Sequence, residues 1–121
     1  MAHFTILMID DDPDLVAMVT ELLSLDGHRV IAAPTAPAGV ELAIREQPDL
    51  ILADLFMPGM DGATAVRMLK AAERTHHVPI VALTGATGTD IDYLVAAGCV
   101  EYVPKLLIPH DLRRVVRTLL R

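Results

Sequence analysis

Three consecutive carboxylates, Asp10, Asp11 and Asp12, close the apolar run in ILMIDDDP, and Asp54 closes another in DLILADLFMPGMDG. A carboxylate at the end of a buried segment and beside its own kind is destabilised unless a cation or a hydrogen-bond donor compensates. Thr84 follows a third apolar run in VPIVALTG, and Lys105 follows a fourth in EYVPKLL. Carboxylates gathered at one point form a hard oxygen cage, and Mg²⁺ suits one or two direct carboxylates with its other positions held by water and a phosphate. An ammonium and a hydroxyl are the groups that bind the remaining oxygens of a phosphoryl group. The bland alternative is that each aspartate caps a helix or starts a turn. That reading is preferred for Asp12, which precedes Pro13, and for Asp61 in MDG. For Asp10, Asp11 and Asp54 three separated segments would have to agree by accident.

These residues converge only if the elements carrying them are parallel and adjacent. Five apolar runs, 4–9, 29–33, 49–54, 79–83 and 101–103, alternate with stretches of helical periodicity. The first helix has Asp12 as N-cap, Pro13 at its first position, Leu15, Met18, Val19 and Leu22 at helical spacing, and Gly27 as terminator. The second starts near Thr35 and carries Val40 and Ile44; the third starts near Asp61 and carries Ala65, Val66 and Leu69. The fourth opens on Thr89 and Asp92, spaced as in a capping box, and ends at Gly98. The last shows an unbroken stripe of Leu112, Val115, Val116, Leu119 and Leu120. Strand and helix alternating five times predict an α/β chain with a parallel sheet covered on both faces, and such sheets place their chemistry at the carboxyl ends of the strands.

At 121 residues, the chain is read as one domain over 1–121. Ten Lys and Arg against 16 Asp and Glu, a net charge of −6, argue against direct nucleic-acid binding. No apolar run reaches the ~18 residues of a membrane helix, and the N-terminus lacks a signal-peptide pattern, so the expectation is a cytoplasmic protein that does not engage the membrane. The single Cys99 forms no intrachain disulfide and reads as a small buried residue. His76 and His77 read as surface loop rather than metal ligands. Arg113, Arg114, Arg117 and Arg121 read as a solvated helix side that complements the dipole. Met8, Met18, Met57, Met60 and Met68 read as core or loop packing, and TGATGTD as helix initiation.

The segments ILMIDDDP, PDLILADLFMPGMDG, VPIVALTG and AAGCVEYVPKLL, in that order and across nearly the whole chain, resemble the receiver domain of two-component response regulators. The resemblance implies a flavodoxin-like three-layer sandwich with a five-stranded parallel sheet in order 2-1-3-4-5 and five helices. It implies Asp54 as phosphoacceptor and Asp11 and Asp54 as direct Mg²⁺ ligands. The backbone carbonyl of Phe56 is a third ligand, with Asp10 acting through a coordinated water. Thr84 and Lys105 correspond to the phosphate-contacting pair, and Thr84 with Tyr102 to the switch. The implied partners are a histidine kinase or histidine phosphotransfer protein, and a downstream protein or an output domain of the same protein, reached through the face of the fourth helix, fifth strand and fifth helix. Pairing of two copies is also allowed. Such a chain is not an enzyme in the ordinary sense; it catalyses its own phosphorylation and slow dephosphorylation. It is expected either to stand alone or to be part of a longer protein.

The sequence also departs from the family pattern. Proline usually follows the lysine, whereas here Pro104 precedes Lys105 and Leu106 follows it. A cis Lys105-Leu106 bond would cost about 2.5–4 kcal/mol, so a trans bond is expected, with a lysine that still reaches the acidic pocket. The interval from Thr84 to Gly98 is about one residue short, by the family's usual count, which bears on the start of the fourth helix. The alternative function is a degenerate receiver that acts as an unphosphorylated docking module. A Mg²⁺-dependent phosphohydrolase with Asp54 as nucleophile is a third, opposed by Phe56 where a second aspartate would stand.

Overall fold

The computed structural model describes residues 3–54, 62–85, 92, 95–105 and 108–120. Its strands are β1 (Thr5–Ile9), β2 (Arg29–Ala33), β3 (Leu50–Asp54), β4 (Ile80–Thr84) and β5 (Glu101–Pro104), all paired in parallel in the order β2-β1-β3-β4-β5. The helices are α1 (Pro13–Ser24), α2 (Ala36–Glu46) and α3 (Gly62–Ala71), then α4, marked by helical residues 92 and 95–97, and α5 (Ile108–Leu119). The strand bounds fall within one residue of the apolar runs. Thr84 and Pro104 each extend a strand by one position because they pair with each other in register.

Side chains alternate across the sheet with a period of two. Leu7, Ile9, Ile51, Ala53, Ile80 and Ala82 point to one face, where Val40 and Ala43 of α2 and Val66 and Leu69 of α3 cover them. Ile6, Met8, Leu50, Leu52, Val81 and Leu83 point to the other, beneath Val19 and Leu23 of α1 and Leu112 and Val116 of α5. Every residue of β3 and β4 is buried, which accounts for their continuous apolar runs. Gly39 brings α2 close to the sheet: a Cβ there would lie 2.6 Å from Ile9 Cγ1.

Capping sets where the helices begin and end. Asp12 and Thr35 are the N-caps of α1 and α2, each accepting backbone N–H groups with its side chain. Gly98, at φ +130°, ends α4, with its N–H on Val95 O at 3.0 Å. The start of α3 near Asp61, the Thr89 and Asp92 capping box, TGATGTD beyond Gly85, and Met57 and Met60 lie wholly or partly outside the described residues.

Two readings from the sequence need correction. Met18 and Met68 are exposed, so the buried side of α1 runs through Val19 and Leu23, with Leu15, Val16 and Leu22 partly covered. Gly27 (φ 84°) terminates α1 as the sequence predicts: its N–H on Ser24 O at 3.0 Å and the His28 N–H on Leu23 O at 3.3 Å close the last turn around a left-handed glycine. The basic side of α5 is not merely solvated. Arg113 clasps Asp26, in the turn after α1, with Nε to Oδ2 at 3.0 Å and Nη2 to Oδ1 at 2.6 Å, and Arg117 Nη2 adds a contact at 3.3 Å. Hydrogen bonds from Arg113 hold the Asp26 carboxyl down at about 2. His76 and His77 are exposed as expected. Cys99 is buried, and that burial pushes its thiol up to about 11. Among the described residues no helix is long and apolar enough to cross a membrane.

Candidate functional site

The site lies at the carboxyl rim of the sheet, at the point where the chain order reverses around β1 and β3. Asp10 follows β1 directly, and its N–H donates to Ala33 O at 3.1 Å, which ties it to the end of β2. Asp54 is the last residue of β3 and Thr84 the last of β4, one step beyond the residue opposite Asp54. Lys105 follows β5. The parallel register thus brings together side chains that are up to 95 positions apart in the sequence.

Asp10, Asp11 and Asp54 each offer a carboxylate oxygen within 4.8 Å of the other two. Asp10 is 3% exposed, Asp54 is buried and Asp11 is exposed. Lys105 Nζ donates to Asp54 Oδ2 at 2.9 Å and stands 3.4 Å from Asp10 Oδ2. Asp10 Oδ1 accepts the Asp12 N–H at 2.9 Å, whereas the buried Oδ2 accepts no hydrogen bond among the described residues. Burial raises the Asp10 carboxyl above its ordinary value, and the charge of Asp54 adds to this against the opposing pull of the Asp12 N–H and Lys105. Lys105 is lowered by its own burial, but the hydrogen bond and charge of Asp54, with Asp10 beside it, leave it net raised.

Among the described residues Lys105 meets two of the three carboxylates, Asp10 and Asp54, and Asp10 keeps a buried oxygen without a hydrogen bond. Three carboxylate oxygens at this spacing suit a hard divalent cation, and the residues fit one. Thr84 is buried at the rim, and its hydroxyl belongs to the same strand end. Phe56, expected to lend its carbonyl, lies outside the described residues, as does Leu106 and with it the Lys105-Leu106 bond. The displaced Pro104 ends β5 without turning Lys105 away from the acidic pocket. Tyr102 is 40% exposed and borders a cavity of about 250 Å³ between β5 and α5, with Glu101, Val103, Asp111 and Arg114.

A family model described as Response regulator receiver domain matches residues 6–117. The chain belongs to the response regulator receiver domains. Among its relatives, the transcriptional regulatory protein CpxR of Escherichia coli is 34% identical over 96% of this chain and 49% of CpxR. Protein PilH of Pseudomonas aeruginosa is 32% identical over 95% of this receiver and 96% of PilH. The receiver thus spans about half the length of the first relative and nearly all of the second. Among solved structures, the receiver domain of the Pseudomonas aeruginosa sensor histidine kinase PA1611 superposes with a TM-score of 0.86 at 31% identity, covering 97% of both chains. That structure carries a magnesium ion coordinated in its active-site cleft. The chemotaxis protein CheY4 of Vibrio cholerae gives a TM-score of 0.90 at 25% identity, over 98% of this receiver and all of CheY4.

Reasoning from the sequence missed one participant in the site, the backbone N–H of Asp12. The signal was present, since an N-cap immediately after the acidic pair must turn its amide back toward them. The Asp26 clasp carried no such signal, because its partners lie 87 and 91 positions away in the sequence.

Proposed function

We propose that the receiver is a phosphorylation-dependent switch in which Asp54 accepts a phosphoryl group from a histidine kinase or histidine phosphotransfer protein, with Mg²⁺ held by Asp11 and Asp54, the Phe56 carbonyl, and Asp10 through a water. The observation that carries this reading is the convergence of Asp10, Asp11 and Asp54 on one rim with Lys105 Nζ 2.9 Å from Asp54. Bound Mg²⁺ would neutralise the carboxylates and the incoming phosphoryl oxygens, so that the anions can approach one another.

The chain's own residues do the rest. An Asp54 carboxylate oxygen attacks phosphorus, the P–N bond of the donor phosphohistidine breaks, and its electron pair stays on the imidazole. Lys105 holds the acceptor in place beforehand and binds a phosphoryl oxygen afterwards, and Thr84 supplies a hydroxyl to another. Catalysis of this kind is positioning and charge stabilisation. An apolar hollow of about 310 Å³ bordered by Asp10, Asp11, Pro13, Val16 and Pro34 supports docking of the donor protein beside the acceptor. The output would pass through Thr84 and Tyr102 to the face of α4, β5 and α5. A downstream protein, an output domain or a second copy would meet the receiver there.

The docking-module reading would be served by a lysine turned into solvent, and Lys105 points inward. The test is intact mass after incubation with a small acyl-phosphate donor and Mg²⁺. A gain of ~80 Da is expected, lost with chelator and in Asp54→Asn. Uptake at the wild-type rate in Asp54→Asn would remove Asp54 from the role.

A further inference from the structure

Asp12 is exposed, and its carboxylate turns away from the acidic cluster onto its own helix, where Oδ1 accepts the N–H of Asp14 at 3.0 Å and of Leu15 at 3.4 Å. Its backbone is extended, at φ −92° and ψ 105°, and its N–H donates to Asp10 Oδ1 at 2.9 Å. Asp10 is held at two points, by its own N–H on Ala33 O and by the Asp12 N–H on one carboxylate oxygen. The second oxygen, Oδ2, is left buried, without a hydrogen bond, and 3.4 Å from Lys105 Nζ. A carboxylate gripped through one oxygen cannot rotate freely about its last bond. The grip is only as firm as the peptide that supplies it.

We propose that Asp12 is a positioning residue of the metal site: by capping α1 it fixes the peptide whose N–H orients Asp10, and so holds Asp10 Oδ2 toward Asp54, Lys105 and the bound cation. The inference rests on the Mg²⁺ reading above and deepens it. The Asp12 carboxylate spends Oδ1 on the helix N–H groups, and comparing Asn with Ala at this position separates its capping geometry from its charge. Residues behind the metal ligands commonly change metal affinity by 10–100-fold when removed.

The experiment is a calorimetric Mg²⁺ titration of the full chain and of five variants, with melting temperatures measured alongside. Asp12→Asn and Asp12→Ser keep a capping oxygen and should bind Mg²⁺ within about twofold of wild type. Asp12→Ala should weaken binding about tenfold. Asp12→Gly should do the same while costing the helix little, which keeps the test open if the alanine variant folds poorly. Thr35→Ala removes the equivalent cap of α2 and should lower the melting temperature without changing Mg²⁺ affinity. The proposal is overturned if Asp12→Asn binds as weakly as Asp12→Ala, because charge rather than capping then matters. It is equally overturned if Thr35→Ala weakens binding to the same extent, or if the alanine and glycine variants bind like wild type. A wild-type chain that binds no Mg²⁺ defeats the metal reading itself, and the positioning role falls with it.

Discussion

Asp10 carries a local conflict. Its carboxylate is buried, raised by that burial and by Asp54, and left with one oxygen unbonded. Asp10→Asn should therefore stabilise the chain in the absence of Mg²⁺ by about 1 kcal/mol, a Tm rise of about 4 °C, while abolishing the Tm gain that Mg²⁺ gives wild type. Differential scanning calorimetry with and without chelator checks both halves; a lower Tm for the metal-free variant would mean that Asp10 is not strained. A second expectation concerns the positions two beyond the acceptor and two beyond the threonine, Phe56 and Ala86. Neither side chain can align a hydrolytic water, so the phosphorylated form should be long-lived. Phe56→Asn combined with Ala86→Glu should shorten its lifetime about tenfold, equivalent to 1.4 kcal/mol of barrier. Lifetimes that do not differ at equal Mg²⁺ concentration would show that water access at these positions is not limiting. Asp10, Asp11 and Asp54 were legible in the sequence because charge directly after a buried run is anomalous. The reach of Lys105 into the acidic pocket, expected despite the moved proline because the carboxylates need a cation, is also what the structure shows.

The helices were legible where a cap announced them. Asp12 with Pro13 and Thr35 with Pro37 mark starts that the structure keeps, because capping is a local interaction. What periodicity could not supply was which of two adjacent apolar residues turns inward, and so Met18 was assigned to a face that Val19 and Leu23 occupy. The Asp26 clasp between the α1 turn and α5 was equally illegible, and it has a definite pH signature. Its folded value of about 2 lies below the ordinary 3.8, so the contribution is fully present above about pH 4 and is lost as pH falls toward 2. Asp26→Asn should accordingly lower Tm by a few degrees at neutral pH, and the gap to wild type should close between about pH 4 and pH 2. A gap that stayed constant over that range would mean that the clasp is not ionic. Gly39 makes a steric demand instead. Alanine there gains helix propensity but collides with Ile9, and overpacking of about 1–3 kcal/mol should outweigh a gain of about 1 kcal/mol. Chemical denaturation of Gly39→Ala measures the balance.

At the scale of the whole molecule, two cores lie on opposite faces of one sheet, and the carboxylate cluster lies at its carboxyl rim. A phosphoryl group changes what the rest of the fold does only as far as it binds two arrangements differently. Thr84→Ala should then still gain the ~80 Da of phosphorylation while losing most of the NMR shift change around Tyr102. Equal shift changes in the variant and in wild type would take Thr84 out of the relay. The strand order has one more consequence, in the time domain of solvent exchange. β3 is flanked on both sides and wholly buried, whereas β5 pairs with β4 alone and leaves Glu101 and Tyr102 exposed. Deuterium should enter β3 amides only when the entire chain opens, but should reach β5 through smaller, more frequent openings. Asp54 thus ends a strand that should exchange slowly, while Tyr102 lies in a quicker one that Lys105 directly follows. Under the proposed function, the side that would receive the signal is anchored, and the side that would report it opens more readily.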